Sequence, residues 1–160
     1  MVKRYLVPSE YTADESWRLV DWCRSLGADE FTVDCLSTDA KAAELSWEEF
    51  QNAVQSLSAG VATRERMSGR TADDLRRPTE LWKLDDSSIG ALKKILPEGI
   101  FQYDPLGAAW FEDPVIYREG ELILGVLSHE AFAVLRVTEA EAAQLAAAGF
   151  ASHESLPRIS

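Results

Sequence analysis

The stretch that decides the fold is WFEDPVIYREGELILGVLSHEAFAVLRV, residues 110–137. Its apolar runs are rich in β-branched, leucine and aromatic residues, and such runs favour strands. Short polar breaks that contain Gly120 or Ser128 separate the runs, and breaks of this length join neighbouring antiparallel strands. The sequence therefore predicts a β-meander in the last third of the chain. Its apolar runs lie at 110–111, 115–117, 122–127 and 132–137.

The segment after the meander has the pattern of a capped helix. Thr138 and Glu141 have the spacing of a capping box, in which each side chain accepts a hydrogen bond from the backbone N–H of the other residue. An alanine-rich stretch follows, and Gly149 is a typical helix stop. Residues 151–160 show no such pattern, so we expect a frayed tail there.

The N-terminal part is predicted to form a βαβ-like unit. A short strand at 5–7 precedes a second capping box at Thr12 and Glu15, and the helix that this box opens ends at Gly27. Residues 30–36 then alternate apolar and polar, which places every second side chain on one face of a strand. Strand, helix and strand in this succession are typical of two parallel strands with a crossover helix.

Two further helices and one irregular segment are predicted between these parts. Ser46, with Glu49 in the capping-box position, is predicted to open the second helix, and residues 88–96 form the third, which Pro97 ends. Residues 58–80 are rich in Ser, Gly, Thr and charge, so we predict a long loop or a marginal helix and regard this segment as the candidate mobile part. The second helix has its apolar face at Trp47, Phe50, Val54 and Leu57.

The order of strands and helices predicts an α+β fold. The expected architecture is a mixed or antiparallel sheet with about four packed helices. A chain of 160 residues has the length of one ordinary domain, and its 46% hydrophobic and 27% charged residues are typical of a globular protein. We therefore predict a single domain over residues 1–160.

The charge balance argues against polyanionic partners. The chain has 16 basic and 27 acidic residues, which gives a net charge of -11, and both halves of the chain are acidic. Such a surface repels phosphate backbones and anionic lipid head groups, and it attracts basic proteins. We therefore expect neither nucleic acid nor a membrane as partner, and we expect a protein partner of basic character.

The sequence shows no cofactor or metal motif. Cys23 and Cys35 have no CxxC or Cys/His ligand spacing, and no glycine-rich phosphate loop of the GxGxxG or GxxxxGK type occurs. No apolar run approaches the ~20 residues that cross a bilayer. The expectation is a cytoplasmic protein with reduced thiols that needs no cofactor and no metal.

Four residues are the candidates for catalysis. His129 and Glu130 lie between two apolar runs, where they can act as a base and its orienter, although a polar turn without a function is the simpler interpretation. Glu112 stands near Trp110, and an apolar neighbour raises the pKa of a carboxyl group; an acidic turn again explains it more simply. Cys35 ends the second predicted strand, where α/β proteins often bind ligands, but strand alternation favours a core thiol.

The arginine-rich segment is the most unusual local feature. Between residues 64 and 77, five arginines outnumber three acids, a net of +2, whereas the remainder of the chain sums to -13. These arginines can hold a phosphate or a carboxylate bidentately, or they can pair with the acidic surface of their own domain. Two tryptophans outside regular helical patterns are predicted to be exposed anchors. The candidate binding residues are Arg64, Arg66, Arg70, Arg76, Arg77, Trp82 and Trp110.

Three functional hypotheses stay open at this level. The leading one is an acidic cytoplasmic protein-binding module, of the bacterial inhibitor or immunity type, whose partner is a basic toxin or nuclease. The second is an enzyme with an active site outside the known motifs, around His129 and Glu130. The third is a homo-oligomeric structural module that uses a sheet edge or the wide apolar helix face with Trp17 and Trp22.

Overall fold

The computed structural model describes residues 1–68 and 73–154. These residues form eight strands and four α-helices. The strands are β1 (Val2–Pro8), β2 (Glu30–Ser37), β3 (Ser58–Glu65), β4 (Arg76–Lys83), β5 (Ala109–Arg118), β6 (Glu121–Leu127), β7 (Phe132–Thr138) and β8 (His153–Glu154). The helices are α1 (Ala13–Ser25), α2 (Ala40–Val54), α3 (Asp86–Ile95) and α4 (Glu139–Ala147).

All eight strands belong to one sheet, in which neighbouring strands are antiparallel. Their order is β3-β4-β2-β5-β6-β7-β1-β8. Because β5, β6 and β7 are neighbours in sequence and in space and α4 follows them, the predicted meander with its terminal helix is confirmed. The alternation of directions makes β1 and β2 parallel. They are joined by α1, as predicted for a βαβ-like unit, but three other strands lie between them in the sheet.

Helix caps follow the sequence signals with one exception. The capping boxes predicted at residues 12–15 and 138–141 are both present. The second helix, α2, begins at Ala40, so the predicted start at Ser46 is wrong. Asp39 caps the earlier start, since its carboxylate accepts a hydrogen bond of 3.0 Å from the backbone N–H of Lys41.

The sheet buries side chains on both of its faces. The larger core joins one face of the sheet to residues of all four helices, such as Val20 of α1, Phe50 of α2 and Leu145 of α4. A smaller core lies on the opposite face. In β7, Leu135 belongs to the larger core and Val134 to the smaller one, as the alternation of side chains along a strand requires.

The prediction of a long loop or a marginal helix at 58–80 is wrong, because most of this segment is a hairpin of β3 and β4. Most side chains of β3 are exposed, so the strand lacks the apolar alternation by which a sequence reveals strands. Met67, just beyond the end of β3, packs against the smaller core. A Cβ atom at Gly125 would lie 2.6 Å from Met67 Sδ, so only glycine allows this close approach.

Polar contacts attach the end of β3 to other strands of the sheet. Tyr117 Oη donates a hydrogen bond of 2.6 Å to the backbone carbonyl of Glu65, and Arg136 of β7 donates two hydrogen bonds to the Glu65 carboxylate. Arg64 donates to Glu30 Oε1 at 3.2 Å. These contacts, which we call the Glu65 clasp, attach β3 to strands far from its own place in the sheet order.

The prediction of a frayed tail at 151–160 is wrong for residues 153 and 154, which form a strand. His153 and Glu154 form β8, which pairs with β1, and Lys3 contacts Glu154 at 3.5 Å. Residues 155–160 lie outside the part of the chain that the structure describes. Among residues 1–68 and 73–154, we find no helix of the length and apolar character that a bilayer crossing requires.

Candidate functional site

The main candidate site is a cleft that opens between β2 and β4. The two strands pair only through Glu30 with Lys83 and Phe31 with Trp82, and beyond these pairs they diverge. The first turns of α2 border the gap. This space, which we call the β2–β4 cleft, has a volume of about 440 Å³, within the range of about 300–1,000 Å³ that is typical of ligand pockets.

Carboxylates outnumber cations on the walls of the β2–β4 cleft. Asp34 comes from β2, Glu44 from α2 and Glu80 from β4. Arg66, just beyond β3, is the one basic residue among the described residues that line the cleft. Three carboxylates against one guanidinium leave two negative charges in excess. The cleft therefore attracts a positively charged group.

Arg66 closes one side of the β2–β4 cleft. Its side chain is 8% exposed and donates a hydrogen bond to Asp34 Oδ1. Ser68 Oγ makes a longer hydrogen bond of 3.4 Å to Asp34 Oδ2. Arg66 Nε is buried and has no hydrogen-bond partner among the described residues.

An aromatic cluster supports the β2–β4 cleft. Trp47 of α2 lines it and is half-buried, and its ring centroid lies 5.6 Å from that of Trp82 and 5.8 Å from that of Phe50. The face of such a ring attracts cations. Trp82 is only 2% exposed, so the prediction that it is an exposed anchor is wrong. It is a core residue because β4 runs beside β2 at this point.

Cys35 also lines the β2–β4 cleft, where it is half-buried. Burial raises the pKa of its thiol, and the neighbouring Asp34 carboxylate raises it further. The thiolate that a nucleophile needs is therefore disfavoured. Cys23 is fully buried in α1, and burial raises its pKa to about 12. Both thiols have the environment of structural cysteines.

The described arginines of the hairpin contact acceptors of their own domain. Beside the contacts of Arg64 and Arg66, Arg77 donates to the backbone carbonyls of Ser68 and Asp74. Arg76 is exposed and lies 3.8 Å from a carboxylate oxygen of Glu121. Arg70 lies outside the described residues. These contacts match the alternative in which the arginines pair within the domain, and a binding role for them stays a prediction.

A second cleft lies beside the first, and Asp34 and Cys35 line both. Its volume is about 550 Å³, and its other walls include Glu112 and Arg77. Glu112 lies directly opposite Asp34 in the β2–β5 ladder, and Trp110 Nε1 donates to its carboxylate at 3.1 Å. Burial raises the pKa of Glu112, the hydrogen bond from Trp110 opposes this, and nearby carboxylates add to the rise.

Asp113 forms a β-bulge next to this second cleft. Two residues of β5, Asp113 and Pro114, stand opposite the single residue Val33 of β2, so residues 110–111 and 115–117 belong to one strand. Asp113 has a φ of 52°, in the left-handed region that non-glycine residues rarely adopt. Its Oδ1 accepts a hydrogen bond of 2.8 Å from the backbone N–H of Ser128. Its Oδ2 is buried without a partner among the described residues.

Replacement of Asp113 by asparagine should stabilise the protein at neutral pH. Burial is the largest cause that raises the pKa of Asp113, and the Asp34 carboxylate adds to it. A carboxyl group with a raised folded-state pKa contributes stability below its unfolded-state pKa of about 3.9 and loses it as the pH rises through the folded-state value. The asparagine side chain keeps the Oδ1 acceptor for Ser128, tolerates the left-handed backbone and carries no charge.

The measurement is urea unfolding of both proteins at several pH values between pH 4 and pH 8. We expect Asp113→Asn to exceed the parent in free energy of unfolding at pH 7 and the difference to shrink toward pH 4. Asp104→Asn, at an exposed loop residue, is the matched control. Equal pH dependence of Asp113→Asn and the parent would contradict the assignment of a buried, charged carboxylate.

The predicted acid–base pair does not form a compact catalytic group. His129 and Glu130 lie in a short 3₁₀ turn at Ser128–Glu130, and their closest nitrogen–oxygen distance is 3.9 Å, beyond hydrogen-bond reach. Their side chains are about half exposed. His129 is close enough to Glu112 and Asp113 for its charge to lower the pKa of both carboxyls. Of the predicted set, Cys35 and Glu112 line the same cleft.

The sequence interpretation named Cys35 and Arg66 but missed the three carboxylates that line the β2–β4 cleft. Asp34 is visible in the sequence only as a polar position in an alternating strand, and Glu44 lies before the predicted start of α2. Glu80 belongs to the segment predicted as a loop. Asp39 is the one local signal that could have placed Glu44 on a helix, because aspartate is a favoured N-cap.

Among residues 1–68 and 73–154, no group of three His, Cys, Asp or Glu side chains is arranged to hold a metal ion.

The half-buried Trp110 is held by its hydrogen bond to Glu112, and its role as a binding anchor stays a prediction. Comparison of the chain with protein-family models, with curated proteins and with solved structures finds no match.

Proposed function

We propose that this protein is a binding module for a basic protein, and that it acts as an inhibitor or immunity-type partner of a cationic toxin or nuclease. The observation that carries the proposal is the β2–β4 cleft, which the carboxylates of Glu44 and Glu80 line together with the half-buried indole ring of Trp47. Carboxylates beside an aromatic face are suited to a lysine or arginine side chain.

The surface around the cleft supports the same function. On α2, Glu44, Glu48 and Glu49 are at least partly exposed, and the last turn of this helix has no basic residue. Elsewhere, arginines are engaged with the chain's own acids, such as Arg118 with Glu141 at 2.7 Å. The net charge of -11 therefore extends as a negative field beyond the cleft, and such a field accelerates association with a basic partner.

The test starts with immobilised protein and a cell lysate, followed by identification of the retained proteins and kinetic measurements on each purified partner. We expect a basic partner whose association rate falls as salt rises. In the Glu44→Lys/Glu80→Lys variant, the association rate at low salt should fall by about tenfold or more, because two charges at the cleft change sign.

Glu10→Lys/Glu119→Lys is the matched control, since it makes the same change of net charge at exposed residues outside the cleft. This control should lower the association rate much less than the cleft variant does. Failure to retain any partner would count against the proposal. So would partners whose association rates do not depend on salt, or equal losses in the two variants.

A further inference from the structure

The β2–β4 cleft is lined by a strand edge as well as by carboxylates. Residues 32 and 33 of this edge are buried, and residues 34–36 are at least partly exposed. Beyond the pair of Phe31 with Trp82, β2 has a ladder partner on one side only, since β5 continues and β4 does not. In an antiparallel ladder, alternate residues direct their N–H and C=O groups to opposite sides of the strand. Alternate residues of the second half of β2 therefore direct these groups into the cleft.

The two edges that face each other across the cleft are not equivalent. On β4 the cleft is lined by Pro78, which has no N–H group to donate. Proline at such a position blocks strand pairing. The second half of β2 contains no proline. The second half of β2 therefore keeps all of its backbone donors, whereas the β4 edge lacks the one at Pro78.

We propose that the β2–β4 cleft binds an extended basic segment of the partner, which pairs with the free edge of β2 as an added strand. This inference rests on the proposed function and adds the mode of recognition. The backbone of the segment supplies hydrogen bonds to β2, and alternate side chains point to the same side. Lysine or arginine at those positions reaches Glu44 and Glu80 at the rim of the cleft.

The buried side of the cleft leaves the carboxylates at its rim to the same occupant. Arg66, whose side chain is 8% exposed, contacts the Asp34 carboxylate and balances its charge. Glu44 and Glu80 thus remain as the carboxylates for the basic side chains, although Gln51 also contacts Glu80 at 3.2 Å.

The experiment uses the whole protein and a capped peptide of alternating arginine and threonine as probe. Two further peptides separate backbone from charge: one has the same sequence with alternate backbone nitrogens methylated, and one has glutamate in place of arginine. Binding is measured by titration, and amide hydrogen exchange by NMR locates it. We expect the first peptide to bind and to slow exchange at residues 32–36.

Methylation should weaken the binding by about tenfold or more, because several backbone hydrogen bonds are lost while the charge is kept. The acidic peptide should not bind. Glu44→Gln and Glu80→Gln should each lower the affinity for the arginine–threonine peptide by about 1.5- to 5-fold, which is the usual effect of one exposed ion pair. Glu48→Gln, on the same helix but outside the cleft, should leave the affinity unchanged.

Three results would overturn this mode of binding: no binding of the arginine–threonine peptide at millimolar concentration, equal affinity of the methylated peptide, or protection only at residues outside β2 and β4. If a basic protein partner is retained by the immobilised protein while residues 32–36 gain no protection in that complex, strand addition is wrong and the proposed function stands. If no basic protein binds at all, the proposed function itself fails.

Discussion

Replacement of Trp82 by alanine should lower the free energy of unfolding by about 3–5 kcal/mol, the range found when a large aromatic side chain is removed from a core. The ring is 2% exposed, and its centroid lies 5.8 Å from that of Phe31, 5.6 Å from that of Trp47 and 5.3 Å from that of Phe50. Aromatic pairs at such distances contribute beyond the area they bury. The expected loss is therefore among the largest that one substitution can cause here.

Trp82 also occupies the last position at which β4 pairs with β2. Its removal should loosen the closed end of the β2–β4 cleft as well as the core. Urea unfolding followed by far-ultraviolet circular dichroism measures the effect without use of tryptophan fluorescence. Trp82→Phe should lower the free energy of unfolding less than Trp82→Ala does. Trp22→Ala, at a half-buried residue of α1, is the control, and we expect it to lower the free energy of unfolding less. An equal loss in Trp22→Ala would contradict the claim that Trp82 contributes unusually much to the core.

Replacement of Arg66 by alanine should cost about 3 kcal/mol, the lower end of the range of about 3–5 kcal/mol for breaking a buried ion pair. The lower end applies because the Asp34 side chain is one-quarter exposed. Among the side chains of the described residues, the variant leaves Asp34 only the long hydrogen bond from Ser68. It also removes the packing of the long arginine stem at the side of the cleft.

A double-mutant cycle with Asp34→Asn measures how much of this loss belongs to the pair. We expect the combined variant to lose clearly less than the sum of the two single losses, because a buried charge without a partner is the main cost. Arg76→Ala is the control, since its side chain is 54% exposed and its contact to Glu121 is long, and it should change stability by at most about 1 kcal/mol. Strict additivity in the cycle would show that Arg66 acts through packing alone.

The parts of the fold that local signals encode could be predicted from the sequence. The capping boxes at 12–15 and 138–141 and the apolar runs of the meander depend on neighbouring residues only, and the structure contains them. The apolar face of α2 was visible for the same reason, since Phe50 and Val54 recur at helical spacing and are buried.

The parts that depend on distant residues could not be predicted. Strand β3 is mostly exposed, and it is a strand because β4 supplies its hydrogen bonds. Trp82 looked exposed in sequence because nothing local shows that Phe31 lies beside it. At Asp113, a sequence of Glu, Asp and Pro is typical of a turn, whereas the ladder with β2 makes it a bulge inside one strand.

The candidate site also depends on residues that are distant in the sequence. The β2–β4 cleft exists because two strands separated by α2 and β3 in the sequence pair briefly and then diverge. The overall acidity indicated a basic partner, but only the divergence brings Glu44 and Glu80 to the same cleft. Composition could suggest the charge of a partner, and the fold was needed to suggest where it binds.

The Glu65 clasp has a consequence for the order of folding. The hydrogen bonds of Glu65 with Tyr117 and Arg136 join residues 52 and 71 positions apart in the chain. Contacts between such distant residues form only after a large loop has closed, so they slow folding and are made late. The meander, whose strands are joined by short turns, can assemble before them. The end of β3 around Glu65 is thus the part of the hairpin expected to detach first in partial unfolding. Its release would uncover the smaller core, while Trp82 keeps β4 attached to the larger core.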